Sequence, residues 1–115
     1  QALAGAGAIV STLPDMTAYV RGMQQRLSAQ PDLRQLMVTP RTEFASCCQQ
    51  ALGWMLEQDA EGKTYLWHNG QTAGFSSYVG FYPDGSRAVV LLNNQAASIN
   101  SEAKRLLTAE NSPQN

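Results

Sequence analysis

Residues 75–93 constrain the fold of this chain more than any other stretch, because they read as a β-hairpin. Residues 75–82 place every second side chain on the same face, the period of two that indicates a strand. Pro-Asp-Gly-Ser follows at 83–86 and is typical of a turn. The apolar run at 88–92 is therefore predicted to be the partner strand, with contacts on both of its faces.

The residues before this hairpin predict further strands. The stretches 51–58 and 64–68 are candidate strands, and Asp-Ala-Glu-Gly-Lys between them favours a turn. Residues 40–50 show no clear period, so the sequence predicts a loop there.

Helices are predicted on either side of these strands. Thr12 is a plausible N-cap for a first helix, whose apolar side chains recur at helical spacing at Met16, Tyr19, Val20, Met23 and Leu27. A short second helix is predicted at 31–38. The last helix is expected over 98–110, capped by Ser98 or Asn100, with one apolar side made of Ile99, Ala103, Leu106 and Leu107. The predicted class is α+β: an antiparallel sheet of three to four strands with N-terminal helices and a C-terminal helix.

Length and charge exclude several functions. The 115 residues suffice for one domain, predicted at 1–110, with a glycine-rich loop or buried turn at 2–10 and a frayed tail at 111–115. The net charge is −1 and no Lys/Arg run occurs, so nucleic acid is not an expected partner. No apolar run approaches the length of a membrane span, and no signal peptide is recognisable.

The two cysteines, Cys47 and Cys48, are adjacent. Neighbouring cysteines rarely bond to each other, so two free thiols are the expected state. With a single histidine in the chain they lack the spacing of a zinc site. We expect no metal site and no cofactor.

Three stretches, in this order, resemble one known family: AGAGAIVSTLPDM at 4–16, ALGWMLEQ at 51–58 and HNGQTAGFSSYVGFYPDGSRAVVLLNN at 68–94. They look like the glycine-rich loop and helix start, an intervening strand and the third active-site motif of the serine β-lactamase and penicillin-binding-protein superfamily. The last stretch is most similar to the branch of class C β-lactamases, D-alanyl-D-alanine peptidases and related esterases. It matches the motif at His68, Asn69, Gly70, Thr72, Gly74, Phe75, Tyr78, Val79, Pro83, and Asn93 or Asn94.

The resemblance implies a role for each residue of the third motif. His68 would offer a proton or a positive charge to a substrate carboxylate, and Gly70 would let the substrate approach the strand closely. Asn69 replaces the usual Thr or Ser and donates a hydrogen bond, but its amide does not relay a proton as a hydroxyl does. The backbone N–H of Gln71 would be an oxyanion donor, and Thr72 and Asn94 would line the substrate site.

The family's nucleophile is the Ser of an S-x-x-K motif, and a Y-x-N or Y-x-S motif follows it; both precede the part seen here. Ser101–Lys104 spells S-x-x-K and Ser98–Asn100 spells S-x-N, but both come after His68, so their order is wrong. The resemblance thus implies the C-terminal portion of a serine hydrolase that acts on β-lactams, D-Ala-D-Ala peptides or small esters. The portion alone is expected to be inactive.

Two further expectations follow from the resemblance. The strand at 88–92 would be left as an apolar edge, covered by the missing N-terminal half or by self-association. The family habit is export, so a periplasmic or secreted location is expected. The competing hypothesis is a free-standing, non-catalytic binding or assembly module that keeps a degenerate β-lactamase-like cleft.

Overall fold

The computed structural model describes residues 10–109, so the predicted loop at 2–10 falls outside it except for Val10, and the predicted tail at 111–115 does so entirely. The class is α+β, as predicted. The elements in chain order are α1 (Leu13–Ala29), α2 (Pro31–Met37), β1 (Thr42–Ala45), β2 (Cys48–Gln50), β3 (Met55–Gln58), β4 (Thr64–Gln71), β5 (Ser76–Phe81), β6 (Ala88–Asn93) and α3 (Asn100–Thr108).

The six strands form one antiparallel sheet in sequential order, from β1 to β6. The prediction of three to four strands was too low, because residues 40–50 form the β1–β2 hairpin and not a loop. All four residues of β1 are exposed, so the strand has no buried face and leaves no alternation in the sequence. The strand predicted at 51–58 begins only at Met55, since Gly53 (φ +80°) sits in a turn closed by the Ala51 N–H and the Trp54 carbonyl oxygen.

Each face of the sheet carries its own core. On the face that we call the α1 face, α1 packs its Val20 and Leu27 against Leu66 and Phe81. On the opposite face, the α3 face, the core consists of Cys48, Tyr65, Trp67, Tyr78, Tyr82, Ala103 and Leu107. Burial of these apolar side chains on both sides holds the helices to the sheet.

The close approach of α3 to the sheet depends on Gly80 in β5. A Cβ added there would lie 2.9 Å from the Leu107 Cδ2 and 2.9 Å from the Tyr78 Cε1. Such distances are shorter than van der Waals contact, so a larger residue would force the buried Leu107 and Tyr78 side chains to shift.

The predicted helices form, with corrections to their faces. Thr12 caps α1 by accepting the Asp15 N–H at 3.2 Å, as predicted. Tyr19 is nevertheless 50% exposed, and Gln24, absent from the predicted apolar face, is buried.

In α3, Leu106 is 46% exposed, contrary to the prediction, whereas Ala103 and Leu107 are buried. The residue at the N-cap of α3 is Ile99, with no side-chain cap, so neither predicted cap holds that position.

Strand β6 lies at an edge of the sheet, with β5 as its only strand partner among residues 10–109. Its middle residues contribute to both cores, as predicted, but Leu92 is 48% exposed. The prediction of two free thiols is wrong: a disulfide joins Cys47 to Cys48.

Candidate active site

The candidate site is the end of β4, which extends beyond its neighbour on one side. The register between β3 and β4 stops at Met55 opposite Trp67, whereas β5 accompanies β4 as far as Gln71. Residues 68–71 therefore have a strand partner on one side only within the described chain, and all four are exposed. This open corner of the sheet is accessible to solvent.

His68 and Gly70 lie together on the α1 face. Leu66 belongs to the α1-face core, and side chains two residues apart in a strand share a face. Val79 is paired with His68 and Ser77 with Gly70. A Cβ on Gly70 would stand 3.1 Å from the Ser77 Oγ. Glycine therefore leaves the space beside the imidazole free of a side chain.

Asn69 and Gln71 direct their side chains to the opposite, α3 face. The Asn69 Nδ2 donates to the Asn100 Oδ1 at 3.2 Å, and the Gln71 Nε2 donates to the Ala96 carbonyl oxygen at 3.2 Å. These bonds tie the end of β4 to the segment that leads into α3. The structure thus brings His68 and Gly70 to one face and places the Asn69 amide on the other.

The backbone N–H of Gln71 points away from β5. The Thr72 N–H donates to the Phe75 carbonyl oxygen at 2.9 Å, so 72 and 75 form a hydrogen-bonded pair at the turn. Pairs in an antiparallel ladder alternate, so Gln71 and Ser76 are a non-hydrogen-bonded pair whose N–H groups turn outward. The Gln71 N–H is consequently directed to the open side of β4, beyond the end of β3.

The remaining predicted residues lie around this corner. Thr72 is exposed in the turn after β4, and Asn94 is exposed immediately after β6. Two apolar side chains lie nearby. Leu92, in β6, lies opposite Ser77 of β5, and Phe75, before β5, is 63% exposed. Within the part of the chain that the structure describes, the α1 face therefore continues past His68 as an exposed surface of mixed polarity.

A charged cluster on the α3 face was not predicted from the sequence. The Glu57 Oε1 accepts from the Trp67 Nε1 at 2.9 Å and pairs with the Lys104 Nζ at 2.8 Å. The Lys104 Nζ also stands 4.4 Å from the centre of the Trp67 ring, which stacks on Tyr78. The only sequence signal was the presence of opposite charges on a predicted strand and helix, which did not identify them as partners.

The Tyr78 hydroxyl is buried beside this cluster and has no hydrogen-bond partner among residues 10–109. Burial raises the pKa of this phenol, as do the nearby Tyr65 and Glu57, so it stays protonated. The Ser101–Lys104 motif lies on α3, with Ser101 exposed and Lys104 held by Glu57. The motif is thus on the other side of the sheet from His68.

Comparison with protein families gives one match. Residues 1–111 match the family described as Beta-lactamase. The chain belongs to the β-lactamase family. Membership supports a serine-hydrolase-like origin for the sheet and the helices that flank it. No curated protein matches the chain. Within residues 10–109 of this β-lactamase-family chain, every helix is too short or too polar to cross a membrane.

Proposed function

We propose that this chain supplies the His-Asn-Gly wall of the active-site cleft in a serine hydrolase that works through an acyl-enzyme. The observation that carries the proposal is the shared location of the His68 imidazole and the Gln71 N–H at the open end of β4. Acyl transfer needs a nucleophile, a proton carrier and donors aimed at the developing oxyanion. The corner supplies the last two.

In this proposal each residue has a distinct task. His68 presents a proton or positive charge to a substrate carboxylate, and Gly70 admits the substrate backbone against the strand. The Gln71 N–H stabilises the oxyanion. Asn69 is a positioning residue, because its amide holds the strand end to Asn100 on the far side of the sheet. Thr72 and Asn94 border the substrate.

The nucleophile in this proposal comes from polypeptide that precedes the chain and covers the α1 face beyond His68. Two observations support this. The Ser101–Lys104 pair is on the opposite face, and Lys104 is already engaged by Glu57. The surface around His68, with Leu92 and Phe75 exposed, is also the part of the α1 face that α1 leaves uncovered.

The proposed substrates are β-lactams, D-Ala-D-Ala peptides or small esters, in the class C β-lactamase, penicillin-binding-protein and esterase branch. The support is the motif sequence from His68 to Asn94 on a hairpin of the expected kind. Asn69 replaces the usual hydroxyl residue and is held by Asn100 on the far side of the sheet, so small esters stay among the proposed substrates beside lactams and peptides. A periplasmic or secreted location is part of the same proposal.

The test compares the product of the complete gene with this chain alone. We expect a fluorescent penicillin or a p-nitrophenyl ester to react with a serine of the complete product and with none in this chain. His68→Ala should lower turnover about a hundredfold or more, since a general acid or base contributes at least that much. His68→Lys should retain most of it, and Gln58→Ala, on an exposed strand end, serves as the control.

Two outcomes would contradict the proposal: labelling of this chain alone, or an unchanged rate in His68→Ala. The alternative function is a non-catalytic binding module. Exposed Phe75 and Leu92 beside His68 favour it, because apolar side chains next to a polar group suit ligand binding. It would be supported if the complete product bound the penicillin without forming a covalent adduct.

A further inference from the structure

We propose that Cys47 and Cys48 form a reversible dithiol–disulfide site, in which an external dithiol attacks Cys47 and the Cys48 sulfur is received by Glu57. The site lies in the β1–β2 hairpin at one edge of the sheet and is separated by β3 from β4, which carries His68, so the proposal does not depend on the hydrolase chemistry. The two sulfurs belong to the connection between β1 and β2 and to the first residue of β2.

The two sulfurs differ in their access to solvent. Cys47 is exposed, whereas Cys48 is 4% exposed and belongs to the α3-face core. An open cleft of about 760 Å³ adjoins the pair and is lined by Pro40, Glu43, Ser46 and Gln49, among others. Because thiol–disulfide exchange requires access to the attacked sulfur, Cys47 is the one that an incoming thiolate reaches.

Glu57 lies where it can accept a hydrogen bond from the Cys48 thiol. The Cys48 Sγ lies 3.6 Å from the Glu57 Oε1, the same oxygen that Trp67 and Lys104 hold. A sulfur in a disulfide carries no proton, so this contact becomes a hydrogen bond only when Cys48 is a thiol. The Glu57 carboxylate, held in place by Trp67 and Lys104, is thus an acceptor for the Cys48 thiol of the reduced form.

The reduction proceeds in two steps. The thiolate of the dithiol bonds to the Cys47 Sγ, the Cys47–Cys48 bond breaks, and its electron pair leaves on the Cys48 Sγ. That sulfur takes up the proton that the first thiol of the reductant released, because a thiolate beside the Glu57 carboxylate would place two negative charges together. The second thiol of the reductant then displaces Cys47, so the reductant becomes a disulfide and two cysteine thiols remain.

Dithiothreitol is the probe for the first experiment, on the chain as it is. Without reductant we expect an intact mass two hydrogens below the dithiol form and no uptake of iodoacetamide. Millimolar dithiothreitol should open the site without denaturant, after which two alkyl groups add, and removal of the reductant in air should restore the disulfide. Alkylation before reduction, or a need for denaturant to reduce the pair, would overturn the proposal.

Single-cysteine variants test the assignment of the two sulfurs. Cys48→Ser leaves Cys47, which should react with iodoacetamide about tenfold or more faster than the Cys48 left by Cys47→Ser, because reactivity follows exposure and thiolate content. Glu57→Gln in the Cys47→Ser background should speed Cys48 alkylation severalfold by removing the neighbouring negative charge. Glu102→Gln, at an exposed glutamate of α3, is the matched control.

Circular dichroism of each variant establishes that the rates are compared between folded proteins. Equal rates for the two cysteines, or an equal effect of Glu57→Gln and Glu102→Gln, would refute the roles given to Cys47 and Glu57.

Discussion

Gln24 allows a sharp test of how α1 is held to the sheet. It is 3% exposed, and its Nε2 donates to the Tyr82 carbonyl oxygen at 3.1 Å and to the Arg87 carbonyl oxygen at 2.8 Å. These two carbonyls flank the turn between β5 and β6. One amide group therefore clamps the middle of α1 to the end of the hairpin.

We expect Gln24→Leu to lower the free energy of unfolding by about 2 kcal/mol. The variant keeps the apolar bulk but loses two hydrogen bonds, each with a net contribution of about 1 kcal/mol. The carbonyl oxygens keep one bond each, from the Gly85 N–H and the Tyr82 N–H, so they are not left wholly unpaired. Urea unfolding followed by tryptophan fluorescence should show a midpoint lower by about 1 M with an unchanged slope.

Gln24→Glu distinguishes loss of the donor from loss of packing. A carboxylate of the same size would face two carbonyl oxygens, so its loss of stability at pH 7 should exceed that of Gln24→Leu. Burial and these oxygens would raise the folded-state pKa of the new carboxyl above its unfolded value. The folded state then binds the proton more tightly, so the deficit is complete above the folded pKa and shrinks as the pH falls.

The matched control is Gln25→Glu, at the adjacent and exposed position. It should change stability by less than about 0.5 kcal/mol. The reasoning would be refuted by a Gln24→Leu variant as stable as the wild type, or by a Gln24→Glu variant that behaves like Gln25→Glu.

Two further predictions concern pH and the sheet edge. Partial burial would raise the pKa of Asp84, but hydrogen bonds from Ser86 and Lys63, together with the Lys63 charge 2.9 Å away, outweigh it and lower that pKa to about 2. The stability that Asp84 contributes is present above its ordinary pKa and is lost as the pH falls toward 2; urea midpoints should therefore drop less in Asp84→Asn over that range. For the edge, we expect light scattering after size exclusion to show self-association of the chain through β6. Leu92→Lys should reduce this association, whereas Leu13→Lys, at an equally exposed leucine of α1, should not. A wild-type chain that stays monomeric at high concentration would contradict the prediction.

The β5–β6 hairpin and the three helices could be predicted from the sequence, because their information is local. Alternation, a Pro-Asp-Gly turn and the Thr12 cap each act within a few residues. The hairpin and the helices are present in the structure; the edge position of β6 also agrees, but it was expected from the family resemblance and not from a local pattern. Strands without a buried face, such as β1, have no such local signal and were missed.

The candidate site could be predicted only in part from local sequence patterns. The residues His68 to Gln71 could be located by motif, but which of them share a face depends on the register of β4 with both of its neighbours. That register places His68 and Gly70 on one side and bonds Asn69 to Asn100 on the other. It also leaves the Gln71 N–H directed beyond the end of β3.

By itself, the sequence determined the class of the fold, the order of its main elements and the place of the motif on a strand, since periodicity and turn chemistry operate over short distances. Only the tertiary structure decided that Gln24 is buried while Tyr19 is exposed, and that Glu57 gathers Trp67, Lys104 and Cys48. Those outcomes depend on which distant segments meet, because a polar side chain can be buried only where the folded chain supplies its hydrogen-bond partners.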